Sequence, residues 1–302
     1  MNVDFGSLIQ NSFKVVWRHK TLWIFGLFAG GVEGFNFDWL DKIDREPADM
    51  SIMHDLFDYM DWSYDLIPPK LAMLGGLVVW LAALALLFFI CYLIAQPAII
   101  DGVNRITRGG QYTFASSFSR GTDFFWRFFG ITLIEIFVGI AAVVMIVILA
   151  IALTPLSLLL TIPAGLIFFF FAYHTFGLAE VAMVARDNQI GDAVAEGWGL
   201  VKNNLGNCFL MTLVLIGLGI AFAIVIFMAA LILYLPINLL IYAMTGSLIG
   251  ILILALFIGL PVAIVLGGYT GTFFNAMYVQ FYFGLVEPQS VVEAVTPADP
   301  VA

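Results

Sequence analysis

Glu135 and Glu180 are the acidic residues that fall inside long apolar runs of this chain, and they are where chemistry is first to be sought. An ionised carboxylate at the centre of a bilayer costs on the order of 3 kcal/mol, so each must face protein or water, be paired, or be protonated. Counting about 1.5 Å per residue from Arg127 and Arg186 puts the two acids roughly 12 and 9 Å inside the boundary marked by those cations. Tyr173 and His174 lie nearby. Tyr173 and Glu180 are seven residues apart and share a helix face, whereas His174 and Glu180 do not. Gln96, Glu180 and Asn275 fall near the same end of three different runs. Together these groups predict a proton- or cation-responsive polar cluster; equally, they suit hydrogen bonds between helices or snorkelling towards headgroups.

A second acidic pattern, Asp55, Asp58, Asp61 and Asp65, recurs at helical spacing opposite Phe57, Met60, Tyr64 and Ile67. Such a face could offer carboxylate oxygens to a divalent cation. It lacks EF-hand spacing and a turn glycine, and a solvated acidic face explains it as well. No Walker loop, nucleophile elbow, zinc motif or haem motif is present, so no cofactor is expected. Cys91 and Cys208 read as small packing residues without disulfide or metal spacing.

The elements that must hold these groups are set by hydropathy. Of 302 residues, 62% are hydrophobic and 11% charged, far more apolar than a soluble domain. A helix needs about 20 apolar residues to cross a bilayer. Spans are predicted at about 21–32, 71–95, 124–153, 156–185, 206–235 and 246–283. The first is short and could be read as a signal peptide, but it lacks a clean cleavage site. Nine of the twelve Lys and Arg residues cluster at Lys14, Arg18, Lys20, Arg105, Arg108, Arg120, Arg127, Arg186 and Lys202. By the positive-inside rule those clusters, and both termini, are cytoplasmic. Of the remaining three, Lys42 and Arg45 lie in an acidic outside insertion, 33–69, and Lys70 directly follows it; the insertion carries ten of the twenty-one Asp and Glu residues. Nucleic acid is excluded as a partner by this charge. The tail 286–302, proline-punctuated and without a basic residue, is expected to be disordered.

Amphipathic stripes precede several spans. Phe5, Leu8, Ile9, Phe13, Val16 and Trp17 form one; Ile190, Val194, Trp198, Val201 and Leu205 another; a weaker one runs from Phe114 through Phe118 to Phe125. The pattern is that of helices lying in the membrane interface. Aligning Gly6 with Ala115 and Asp192 gives offsets of 109 and 77 residues, as if one unit of interfacial helix, span and span occurred three times.

The segment Gly191 to Asn204, GDAVAEGWGLVKNN, followed at once by an apolar run, resembles the membrane domain of glycerophosphodiester phosphodiesterases and their stand-alone relatives. Ala193, Ala195, Trp198, Leu200, Lys202 and Asn203 carry the resemblance, and Pro97 to Phe129, with Gly109, Phe118 and Arg120, looks like a preceding unit. Gly197 stands where the pattern has a small polar residue. The resemblance implies a fold and a membrane-lipid setting. It does not imply hydrolysis, because the chain has three histidines, His19, His54 and His174, and no segment polar and long enough to be the catalytic barrel.

The expectation is therefore an all-α, six-span membrane bundle of three helical hairpins, each preceded by an amphipathic interfacial helix. It would be a non-enzymatic module in the plasma membrane of a prokaryote that binds membrane lipids or a membrane protein partner, a second copy included, anchored at headgroup level by Trp17, Trp126, Trp198, Lys202 and Asn203. The alternative is a small transporter or channel using Glu135 and Glu180. Glycine and proline fit both. Gly26 with Gly30, Gly246 with Gly250, and Gly267 with Gly271 have helix-contact spacing, while Pro163 and Pro261 could break spans.

Overall fold

The computed structural model describes residues 3–30, 69–152, 158–245 and 260–286. The acidic insertion up to residue 68, with Asp55, Asp58, Asp61 and Asp65, lies outside the described residues, as do the tail beyond 286 and the Gly246 and Gly250 pair. Among the described residues the chain is helical: α1 (Phe5–Arg18), α2 (Leu22–Gly30), α3 (Pro69–Thr107), α4 (Phe114–Asp123), α5 (Phe125–Ala152), α6 (Leu158–Arg186), α7 (Ile190–Asn203), α8 (Leu205–Thr245) and α9 (Leu260–Val286). Among the described residues four helices contain stretches long and apolar enough to cross a membrane, namely Val78–Thr107, Phe125–Leu149, Thr161–Arg186 and Leu205–Met228.

Local chemistry starts the amphipathic helices where the stripes begin. The Asp4 carboxylate caps α1, accepting from the amides of Gly6 at 2.9 Å and Ser7 at 3.3 Å, and Thr113 caps α4 through the Ser116 amide at 3.3 Å. One boundary differs from expectation. The span expected to stop at 95 continues through Pro97 to Thr107 as a single helix. Proline removes one intrahelical bond, and packing of neighbouring helices around residues 93–103, nearly all of them buried, holds the helix together across that gap.

The core sits at one end of the bundle, the end that carries Arg105, Arg120, Arg127, Arg186 and Lys202. There the C-terminal halves of α3, α6 and α9 pack on one another. Ile99, Ile100, Leu178, Met183, Phe273, Phe281 and Tyr282 are almost wholly enclosed. Towards the other end burial falls away, and only 11% of the α5 stretch and 6% of the α8 stretch is buried.

The amphipathic helices do not present their whole stripe to lipid. α1 packs on α9, α4 on α3 and α7 on α6. Each runs antiparallel to its partner: Phe5 stacks on Phe281 while Phe13 meets Tyr269, and Trp198 meets Phe171 while the Gly197 backbone lies against Thr175 and Ala179. Leu8, Val15 and Val16 of α1 and Ala193 and Val201 of α7 face inward, and Phe13, Phe118, Trp17 and Trp198 face outward. A hydropathy stripe records apolar surroundings and does not distinguish protein from lipid.

Glycines decide how closely helices approach. A Cβ on Gly26 would strike the Gly268 carbonyl and Thr272, and one on Gly271 would strike the Gly26 carbonyl and Gly30. α2 and α9 therefore touch backbone to backbone, and the Thr272 hydroxyl lies 3.0 Å from the Leu22 carbonyl. The expected packing role of Gly26, Gly30 and Gly271 corresponds to this crossing; a Cβ on Gly267 would meet nothing within 4 Å, and the neighbouring Gly268 is the one pressed against α2, at the Trp23 carbonyl.

Candidate functional site

Next to the packed end a cavity of about 460 Å³ opens among α3, α5, α6, α8 and α9. Gln96, Glu135, Glu180, Asn275 and Tyr173, singled out from five places in the sequence, all line it. His174 stands behind its wall, hydrogen-bonded to two lining residues, Tyr278 and Thr212. Tyr92, Ile100, Leu215, Ile216 and Phe274 complete most of the surface. Tyr173 is 48% and Ile216 55% exposed, and Glu135 is also exposed, so the cavity reaches the flank of the bundle between α5 and α8.

Glu180 is the most enclosed acid of the cavity, at 7% exposure. The Gln96 amide donates to Glu180 Oε2 at 3.3 Å, which leaves Gln96 Oε1 buried without a hydrogen-bond partner. The Asn275 amide donates to the Gly271 carbonyl at 3.0 Å. Helix geometry puts Glu135 roughly 12 Å along its helix from Arg127 and Glu180 roughly 9 Å from Arg186, so both carboxyls lie at similar depth.

His174 is fully buried and joins three helices. Its Nδ1 is 2.6 Å from the Tyr278 hydroxyl on α9 and its Nε2 is 2.7 Å from the Thr212 hydroxyl on α8. The Thr212 hydroxyl also lies 3.1 Å from the Cys208 carbonyl. A neutral imidazole donates at one of these nitrogens and accepts at the other, and the Tyr278 and Thr212 hydroxyls take the complementary roles. Gly177 makes room for this arrangement: a Cβ there would come within 2.7 Å of the Tyr278 ring.

A second set of polar contacts locks the packed end. Asp101, 6% exposed, pairs with Arg105 at 2.7 Å and accepts from the Ser117 hydroxyl at 3.2 Å, joining α3 to α4. Glu196 accepts from the Tyr282 hydroxyl at 2.6 Å and the Asn188 amide at 2.8 Å, and pairs with Arg186 at 3.2 Å. Asp187 bridges Arg127 at 2.5 Å and Arg120 at 3.6 Å with its backbone in the left-handed region, φ 58°. The Arg127 hydrogen bond, more than the charge of Arg120, holds its carboxyl below the usual range.

The sequence reading missed Tyr92, Thr212 and Tyr278 as lining residues and Asp101, Asp187 and Glu196 as locks. A depth count of the kind used for Glu135 also reaches Thr212, the one hydroxyl on the first turns of α8 that bonds His174. Of the expected anchors, Trp17 is 55%, Trp126 75% and Trp198 49% exposed, and Lys202 and Asn203 are exposed. Among the described residues no three His, Cys, Asp or Glu side chains gather as a metal site. Cys91 and Cys208 are free thiols.

Comparison of the chain with protein-family models, curated proteins and solved structures finds no match. None of the three ties the chain to the membrane domain of glycerophosphodiester phosphodiesterases. What the molecule defines is a class: an all-helical protein with candidate membrane-spanning helices. Gly197 of α7 has a local cause, since a side chain there would strike the Thr175 carbonyl on α6.

Proposed function

We propose that this is a multi-pass membrane protein that binds an amphipathic ligand, a membrane lipid in the first instance, whose headgroup enters the cavity sideways between α5 and α8. The observation that carries the reading is convergence: Gln96, Glu135, Glu180 and Asn275, with Tyr92, Tyr173 and Tyr278, line one cavity at bilayer depth with an exposed flank. A volume of about 460 Å³ lies in the range that small ligands fill. Apolar residues Ile216, Leu215 and Phe274 at the same cavity suit the start of an acyl chain.

The architecture we infer is six spans in three hairpins, α2 and α9 completing the four long apolar helices. Its support is the rotation of contacts, α1 on α9, α4 on α3 and α7 on α6, in which each amphipathic helix packs on the returning helix of the unit before it. Leu8, Ser117 and Ala193, and then Ser12, Gly121 and Gly197, are buried at matching positions, with offsets of 109 and 76 residues. The basic end is cytoplasmic on this reading, and the phosphodiesterase likeness suits the same lipid setting.

Native mass spectrometry of the protein released in mild detergent tests the reading. A retained lipid that is lost from the cavity-filling variant Leu215→Trp, with the fold kept, supports it; a bare protein that accepts no added lipid overturns it. A retained second copy or partner would appear as its own mass. The module is read as non-enzymatic, and lipid turnover lost on Glu180→Gln would reverse that. The two carboxyls also favour a transporter as the second reading, for which cation- or pH-driven flux in proteoliposomes, abolished by Glu180→Gln, is the deciding result.

A further inference from the structure

Positive charge at the basic end is compensated unevenly. Arg105 pairs with Asp101, Arg120 and Arg127 share Asp187, and Arg186 pairs with Glu196. Lys14, Arg18 and Lys20, at the corner between α1 and α2, are exposed and make no ion pair among the described residues. The helices that build this corner, α1, α2 and α9, contain no Asp or Glu. Lys14 and Arg18 stand one turn apart on the same helix, where like charges repel.

The corner is apolar as well as positive. α1 buries Leu8, Ser12, Val15 and Val16. At about 100° per residue, Phe13 and Trp17 form one ladder on the opposite side of the helix and Lys14 and Arg18 form the next. Phe13 is 48% and Trp17 55% exposed. Their rings stack at 5.9 Å, and Lys20 Nζ lies 5.9 Å from the Trp17 ring centroid. Trp23 and Tyr269 each lie 6.3 Å from the Trp17 ring, and the Trp23 indole donates to the Val16 carbonyl at 2.9 Å, which fixes the turn into α2.

We propose that this corner binds an anionic phospholipid of the surrounding leaflet, its phosphate received by Lys14, Arg18 and Lys20 and its glycerol and upper acyl chain lying on Phe13 and Trp17. The site is separate from the cavity and rests on the membrane reading above. An aromatic face bordered by uncompensated cations matches a surface that is oily on one side and anionic on the other. A free anion has nothing to place on the two rings, and a zwitterionic lipid brings its own cation to three like charges. The other amphipathic helices offer less, because Arg120 of α4 is held by Asp187 and α7 has Lys202 alone in its last turn.

The test titrates the full chain in mild detergent with phosphatidylglycerol and phosphatidylcholine of equal acyl chains, read by native mass spectrometry. Phosphatidylglycerol should bind roughly tenfold or more tighter, and the preference should shrink as ionic strength is raised. Lys14→Gln, Arg18→Gln and Lys20→Gln should each lower it roughly fivefold, and the triple glutamine variant should abolish it. The charge-preserving triple, Lys14→Arg with Arg18→Lys and Lys20→Arg, should keep it. All three side chains are exposed, so the substitutions leave the core untouched. Equal binding of the two lipids overturns the assignment, as does a preference that survives the triple glutamine variant. Displacement by glycerol phosphate at matched concentration overturns it in favour of a water-soluble anion. The readout is a preference between lipids rather than the retention of one. It can therefore fail while the cavity reading stands, and the cavity reading can fail, by indifference to Leu215→Trp, while this one stands.

Discussion

The Tyr278 hydroxyl lies 2.6 Å from Nδ1 of His174, and the opposite ring nitrogen of the same histidine lies 2.7 Å from Thr212, so one buried imidazole ties α6 to both α8 and α9. α8 has little other protein around it, since 6% of its apolar stretch is buried. The imidazole is thus a structural pin set behind the cavity wall.

His174→Ala should lower stability by about 2 kcal/mol, the cost of leaving buried hydroxyl groups without partners. The fall would be read as a drop in melting temperature in detergent. An unchanged melting temperature would show that α8 is held by something other than this pin.

Two glycines of α7 should respond in opposite senses to the same substitution. A methyl at Gly197 meets the Thr175 carbonyl and lies 3.0 Å from the Ala179 amide, whereas a methyl at Gly199 meets nothing within 4 Å. Gly197→Ala should destabilise by about 1–3 kcal/mol through overpacking. Gly199→Ala should stabilise by about 0.5–1 kcal/mol through helix propensity. Matching effects in thermal unfolding would place α7 off α6.

Acidification should weaken the fold in two steps. His19 lies beside Tyr112, and burial, then the charge of Arg18, lowers its pKa. The unfolded chain therefore takes up this proton first, from about pH 6.5 downward, and stability falls with pH until the folded histidine also titrates. Asp187 has its pKa lowered by Arg127, so its contribution is present above about pH 3.9 and is lost as pH falls through the lower folded value. Melting curves against pH should lose the upper step in His19→Gln and the lower step in Asp187→Asn. Asparagine retains the left-handed backbone that Asp187 needs.

Single cysteines placed at Asp49 and at Gln189, in a background lacking Cys91 and Cys208, test orientation with an impermeant thiol reagent on intact cells. The reagent should reach position 49 and not position 189. The reverse result would turn the bundle over and move the cavity to the outer leaflet.

Depth along a helix was legible in the sequence, because rise per residue is fixed and the basic residues mark a boundary; that is why Glu135 and Glu180 were found together. Shared faces were legible too, as Tyr173 and Glu180 show. Partners across helices were not, since nothing in the spacing of α9 states that Tyr278 would lie over Gly177. Nor could the stripe of α1 reveal that Leu8 and Val16 face protein while Trp17 stays exposed. The register of the repeat shifted by one residue for a similar reason: the sequence aligned Gly6 with Asp192 by pattern, whereas burial matches Ser12 with Gly121 and Gly197.

The concentration of the core at one end gives the bilayer a part in the geometry. α5 and α8 bury little of their apolar stretches, and away from the basic end their contacts include Phe222 of α8 beside Tyr269, Phe273 and Phe274 and Ile146 of α5 beside Gly165. On the membrane reading proposed above, lateral pressure and acyl-chain length act on the spacing of these two helices, so a thinner or looser bilayer should widen the opening between them.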